Sequence, residues 1–117
     1  MPPLPDDATN VPYSELLLHT RQLAWKANES FYRDDWRDLL ETAAELDKAS
    51  KLLPDTKEIP AHLTSTLAAK TQALAGDTDK LRQAAKNKDE VQANEAIQRI
   101  HMKIRELRFE KKEGPAQ

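Results

Sequence analysis

The sequence predicts an all-α fold, an antiparallel up-down-up-down four-helix bundle, on three observations. Helix-favouring alanine, leucine, lysine, glutamate and glutamine dominate a chain of 117 residues with only two glycines. The prolines leave two long stretches free of proline, residues 13–53 and 61–114, each long enough for two helices. Apolar residues in both stretches recur every three or four positions, as on one face of a helix. The short predicted connections favour antiparallel neighbours.

The first stretch predicts helix one at about 12–32 and helix two at about 35–53. The predicted inward face of helix one consists of Tyr13, Leu16, Leu17, Thr20, Leu23, Ala24, Ala27 and Phe31. Asp34 and Asp35 precede helix two and can cap its first turn. The predicted inward face of helix two consists of Trp36, Leu39, Leu40, Ala43, Leu46 and Leu53. The residues predicted to face water on helix two are Asp38, Glu41, Glu45 and Lys48.

The second stretch predicts helix three at about 60–87, with Pro60 at a first helical position, where proline is well tolerated. Its predicted inward face consists of Leu63, Leu67, Leu74, Leu81 and Ala85. Gly76 lies within this tract, where glycine costs about 1 kcal/mol relative to alanine. Asp77, the next residue, could cap a new helix. The leucine spacing continues across this point, which favours one helix, with two shorter helices as the alternative.

Helix four is predicted at about 90–111. Asp89 precedes it as an N-cap, and Gln92 follows three residues later, as in a capping box. The predicted inward face of helix four consists of Ile97, Ile100, Ile104 and Leu107. The domain boundaries follow: residues 1–11 are predicted to be an extended proline-rich arm, 12–112 the bundle and 113–117 a flexible C-terminus.

Composition excludes several classes of protein. The formal net charge of −2 comes from intermixed charges, which gives no basis for nucleic-acid binding. The chain has no cysteine, so it has no disulfide and no thiolate metal site. No apolar run approaches the roughly 20 residues of a membrane span. Glu-x-x-His pairs, glycine-rich phosphate loops and nucleophile–base pairs are all missing, so we expect a protein that is not an enzyme.

Helix four resembles the terminal helix of cytochrome c prime. In that family Cys-x-x-Cys-His is followed three residues later by an aromatic or aliphatic residue and then arginine. Here the same frame reads Ile97-x-x-Ile100-His101-x-x-Ile104-Arg105. The non-covalent b-type four-helix cytochromes share the His-x-x-x-Arg ending without the cysteines. Further similar features are Asp35-Trp36 opening helix two and Ala84-Ala85 ending helix three, so the resemblance covers about residues 12–109.

The resemblance implies a set of haem-binding residues, if haem is bound. His101 would be the axial iron ligand, Arg105 would neutralise or orient a haem propionate, and Leu16 would lie near the opposite iron face. Ile97 and Ile100 would contact the porphyrin. The b-type relatives use a methionine on helix one as second ligand, and helix one has none here. The apolar Leu16 therefore resembles the five-coordinate arrangement of cytochrome c prime.

His19 is the only other residue on helix one that could ligate iron. It lies about 100° from the centre of the buried face at 100° per residue, which is a poor position for ligation together with His101. A single surface histidine, without a chelating partner three or four residues away, is the simpler interpretation. His62 has the same interpretation.

Isoleucine replaces both attachment cysteines, which excludes covalent haem. In the leading interpretation Ile97 and Ile100 fill the space of a cofactor, and the chain is a non-catalytic binding or interaction module. His101, about 80° from the centre of the helix-four seam, then has one hydrogen-bonded and one solvated nitrogen. In the alternative, the isoleucines pack against haem b, for electron transfer or gas binding. The resemblance also implies a periplasmic, exported protein if a signal peptide was left out of the sequence.

A second apolar stripe on helix one consists of Leu18, Trp25 and Tyr32, which repeat every seven residues. They lie roughly 140° from the centre of the buried face and are predicted to be exposed. Aligned exposed aromatic residues favour an interface, and cytochromes c prime commonly dimerise through their first two helices. We therefore predict a homodimer through helix one. The alternatives are that the N-terminal arm, with Leu4 and Val11, covers the stripe, or that the arm engages a different partner.

Overall fold

The computed structural model describes residues 11–107, and within them the fold is all-α with four α-helices. Helix α1 spans Tyr13–Tyr32, α2 spans Trp36–Leu52, α3 spans Leu67–Asn87 and α4 spans Glu90–Arg105. Two short 3-10 helices, Leu53–Asp55 and Ala61–Leu63, lie between α2 and α3. The predicted all-α class is confirmed. The proposed arm up to residue 10 and the C-terminus from residue 108 lie outside the described residues.

Each helix packs against its neighbours in sequence, and α1 also packs against α4. The α1–α4 pair is the least closely packed of these four. The Tyr13 hydroxyl, at the start of α1, donates a hydrogen bond to the carbonyl of Leu107, just after α4. This bond is buried and joins the two ends of the described chain. None of the four helices is long and apolar enough to cross a membrane.

The core is built from the predicted inward faces. All residues predicted for α1 are buried except Phe31, which is half-buried. On the last helix and the turn after it, the predicted Ile97, Ile100, Ile104 and Leu107 are all buried. Each fully buried side chain of this size stabilises the fold by roughly 1.5–3 kcal/mol. The last helix therefore contributes to a filled core.

Helix α2 differs from its predicted two faces. The predicted outward residues Asp38, Glu45 and Lys48 are half-buried, and only Glu41 is exposed. The reason is that α2 packs against both α1 and α3, so its buried surface is wider than one seam. Asp38, for example, accepts a hydrogen bond from the Ser30 hydroxyl of α1. On the inward side, Trp36 and Leu40 are half-buried, whereas Thr42, Ala49 and Ser50 are buried although they were not predicted.

Helix α3 begins seven residues later than predicted, at Leu67 rather than Pro60. The run Thr64-Ser65-Thr66 explains the delay, because hydroxyl side chains compete for backbone groups and disfavour helix interiors. The Thr64 hydroxyl, for instance, donates to the carbonyl of Pro60. At Gly76, where two shorter helices were the alternative, α3 continues without a break. The prediction of one helix across Gly76 is confirmed.

The predicted N-caps are confirmed. An Asp35 carboxylate oxygen accepts from the backbone N–H of Asp38 at 3.0 Å, and an Asp89 oxygen accepts from Gln92 N–H at 3.1 Å. The end of α4 is earlier than predicted, since the helix stops at Arg105 and a turn follows. The predicted continuation over 108–111 lies outside the described residues.

Candidate functional site between α1 and α4

A cleft of about 120 Å³ lies between α1 and α4. Its lining residues are Arg21 and Trp25 from α1 and His101, Ile104 and Arg105 from α4. The spacing explains the arrangement: residues four apart lie one above the other on a helix. Arg21 and Trp25 thus share one edge of α1, and His101 and Arg105 share one edge of α4. The indole of Trp25 packs on His101, with ring centroids 5.1 Å apart and planes at 57°.

The surroundings of His101 disfavour its protonated form. Its Nε2 atom is buried and has no hydrogen-bond partner within residues 11–107. Burial lowers the pKa of His101 below its usual value, and the positive charge of Arg105 lowers it further; a hydrogen bond to the Ala24 backbone partly offsets both effects. The prediction of a solvated second nitrogen is wrong, because Trp25 and the neighbouring helix exclude solvent from it.

Within residues 11–107, the two guanidinium groups of the cleft have no carboxylate partner. Arg21 and Arg105 are both exposed, and neither has an ion pair within the part of the chain that the structure describes. Other arginines in that part do have such pairs. Arg33, for example, lies 3.6 Å from Asp38, and Arg99 lies 3.1 Å from Asp77. The cleft is therefore a concentration of uncompensated positive charge beside an aromatic ring.

The structure brings together only some of the residues that the resemblance implies for haem. His101 and Arg105 meet at the cleft. Leu16, Ile97 and Ile100 are instead buried in the core, with exposed fractions of 1%, 3% and 1%. Cofactor pockets usually measure about 300–1,000 Å³, well above the 120 Å³ found beside His101. As packed here, these residues do not fit a haem.

His19 is half-buried on the side of α1 that faces α2, and its Nε2 has no hydrogen-bond partner in residues 11–107. Burial lowers the pKa of His19, and the nearby carboxylate of Glu45 partly offsets this. Trp25, which packs on His101, lies instead on the side of α1 that faces α4. The two histidines are thus not brought together as a ligand pair. The described residues contain no group of three or more histidine, aspartate or glutamate side chains that could hold a metal ion.

The stripe on α1 is exposed, as predicted: Leu18 is 54%, Trp25 62% and Tyr32 77% exposed. Sequence reasoning missed Val91 and Met102, which are 66% and 57% exposed on α4. These five are the exposed large apolar side chains of residues 11–107, and all lie on α1 or α4. Both missed residues lie off the isoleucine seam of α4. The angular spacing that predicts exposure of the helix-one stripe would have predicted their exposure too.

Asp77 is the second feature that sequence reasoning missed. It is buried on α3 and receives two cations of α4: Arg99 Nε lies 3.1 Å from one carboxylate oxygen, and Lys103 Nζ lies 2.9 Å from the other. The Arg99 contact is also a hydrogen bond, whereas the Lys103 contact is a close ion pair without hydrogen-bond geometry. A signal was present, because Asp77 lies three residues after Leu74 and four before Leu81, on the inward face of α3.

Comparison with protein-family models, curated proteins and solved structures finds no match to this chain. The resemblance to cytochrome c prime therefore stays a prediction from the residues of helix four.

Proposed function

We propose that this chain is an antiparallel up-down-up-down four-helix bundle of the cytochrome c prime type, without covalent haem. It works as a non-catalytic interaction module that forms a homodimer through α1. The observation that carries the proposal is the segregation of exposed apolar side chains to the α1–α4 side. The charged surfaces of α2 and α3 have no comparable feature within the described residues.

The antiparallel arrangement is supported by contacts at both ends of the α1–α4 pair. Tyr13, at the start of α1, bonds to Leu107 after the end of α4. Phe31, near the end of α1, shares a surface depression with Glu90 and Val91, at the start of α4. Two helices that meet start to end in this way run in opposite directions. Short turns between α1 and α2 and between α3 and α4 agree with the same topology.

The homodimer is supported by the shape of the exposed apolar surface. Leu18, Trp25 and Tyr32 recur every seven residues and so form a nearly straight line of about four helical turns. Met102 and Val91 lie on the adjacent α4. A line of apolar side chains on one helix can pack against the same line of a second copy related by a two-fold axis. Large exposed patches of this kind are typical of protein interfaces.

Sedimentation equilibrium over a range of concentrations tests the homodimer. The wild-type chain should sediment as a dimer, and the L18S/Y32S variant as a monomer, since both serines remove apolar contact area without touching the core. The A44S/A68S variant is the matched control, because these alanines are exposed on α2 and α3, and it should remain dimeric. A monomeric wild type, or a dimer that survives L18S/Y32S, would contradict the proposal.

The haem b alternative has one observation in its favour, the buried Nε2 of His101 without a hydrogen-bond partner. Against it stands the close packing of Ile97 and Ile100. Titration with haem decides between the two. The proposed module should give no Soret band that depends on His101 and no rise in melting temperature. A Soret band that disappears in the His101→Ala variant would replace the proposal with the haem protein.

A further inference from the structure

We infer that the cleft between α1 and α4 binds a small organic carboxylate, with Arg21 and Arg105 holding the carboxylate group and Trp25 and Ile104 contacting its apolar body. This goes beyond the proposed dimer and does not require it; Trp25 belongs to both surfaces, so binding is also tested in a monomeric variant. The five lining residues come from two helices, so the cleft is built by the fold rather than by one flexible loop.

The charge of the cleft selects an anion. Arg21 and Arg105 enter it from opposite walls, and within residues 11–107 neither is neutralised by a carboxylate. Guanidinium groups bind carboxylates through paired, charge-assisted hydrogen bonds, which are stronger than neutral ones. A bound carboxylate would neutralise the two arginines, which no carboxylate of residues 11–107 does.

The remaining walls select the rest of the ligand. Trp25 offers an indole surface and Ile104 an aliphatic one, and neither would contribute to holding a bare inorganic anion. The volume of 120 Å³ sets the size. It is below the roughly 150 Å³ of a closed cavity that accommodates benzene, and the cleft is open beside the exposed Arg21 and Arg105, so a single ring is the upper limit. The fitting ligand is thus a carboxylate whose apolar body is no larger than a single ring.

Benzoate is the probe for this site. In ¹H–¹⁵N NMR spectra the Trp25 indole signal should shift and saturate with benzoate at constant ionic strength. The Trp36 indole signal, from the half-buried tryptophan on α2, is the internal control and should stay in place. Benzamide, which has the same ring without the charge, should give no saturable shift.

Substitution of each cleft arginine tests whether benzoate binds in this cleft. Arg21→Gln and Arg105→Gln should each weaken benzoate binding about tenfold, the loss expected for a charge-assisted hydrogen bond. Arg37→Gln removes an exposed arginine of α2, which lies 3.8 Å from Glu41, and should leave the affinity unchanged. All three positions are on the surface, so the variants should fold, which circular dichroism checks.

Several results would overturn the inference: no saturable shift of Trp25, an equal response to benzamide, unchanged affinity in both cleft variants, or phosphate binding as tight as benzoate binding. Repeating the titration in the L18S/Y32S variant separates this site from the dimer, since Trp25 and both arginines are retained. Binding to that monomer supports the cleft whatever the oligomeric state of the wild type. Loss of binding there would show that the site belongs to the dimer and would overturn it as an independent site.

Discussion

On the edge of α4 that faces α3, two cations meet a buried carboxylate; on the edge that faces α1, Arg105 meets no carboxylate within residues 11–107. Arg99 and Lys103 converge on Asp77 at 3.1 and 2.9 Å. Arg105 instead lines a cleft together with Arg21, without a carboxylate partner in residues 11–107. The two edges therefore use the same residue types in opposite electrostatic settings.

The difference indicates which charges are structural and which are available to a ligand. A buried carboxylate with two cationic partners fixes the position of α4 against α3, because each charge would be costly to bury alone. Exposed arginines without such a partner in residues 11–107 contribute nothing comparable to folding. They remain free to bind an external anion. We therefore expect changes on the α3-facing edge to affect stability and changes on the α1-facing edge to affect binding.

The largest expected effect is on the α3-facing edge. Asp77→Ala should lower the free energy of unfolding by about 2–4 kcal/mol, because it leaves Lys103 without its counter-charge and Arg99 with only the more distant Glu95, 3.9 Å away. The value lies below that of a fully buried pair because the two cations are themselves 37% and 30% exposed. Urea unfolding followed by circular dichroism measures the change.

The matched control for Asp77→Ala is Asp79→Ala on the same helix. Asp79 is 57% exposed and lies 3.6 Å from Arg82, an ordinary surface pair. Its removal should cost less than about 1 kcal/mol. Similar losses in the two variants would mean that the Asp77 cluster is no more than another surface ion pair, and the contrast between the two edges of α4 would fail.

The sequence was sufficient to predict the number of α-helices in residues 11–107 and most of the core, because both follow from local periodicity. Ile97, Ile100 and Ile104, for instance, lie on one helical face whatever the partner helix is. The two edges of α4 required knowledge of which helix packs on which. Arg99 and Arg105 look alike along the chain, and only the fold gives one of them Asp77 and the other Arg21. Likewise, helical phase predicted the exposure of Trp25 but not its contact with His101.

Acid should destabilise the protein through its two partly buried histidines. The pKa values of His19 and His101 are both lowered by burial, so the unfolded chain binds these protons more readily than the folded one. Stability is then fully present above the unfolded value of about 6.5 and is lost as the pH falls below it. Each unit of difference in pKa contributes about 1.4 kcal/mol.

Comparing unfolding free energies at pH 7.5 and 5.5 tests this effect. The His101→Gln and His19→Gln variants should each show a smaller loss between the two values than the wild type. His62→Gln is the control, since His62 is exposed, and its loss should match that of the wild type. If all three variants lost the same amount, the titration of carboxylates rather than of these histidines would account for the acid sensitivity. The burial of His101 on the α1-facing edge would then have no energetic consequence.

The smallest expected effect tests whether α3 runs straight from Gly76 into Asp77. Gly76 is exposed within α3, and an added Cβ would meet no atom within 4 Å. Gly76→Ala should therefore raise the free energy of unfolding by about 0.4–1 kcal/mol, because alanine restricts the unfolded chain and favours the helix. Ala73→Gly, at an exposed position one turn earlier, should lower it by a similar amount. A destabilised Gly76→Ala variant would mean that the backbone bends at Gly76. In that case the alignment of Asp77 with the cations of α4 would depend on the bend and not on a straight helix.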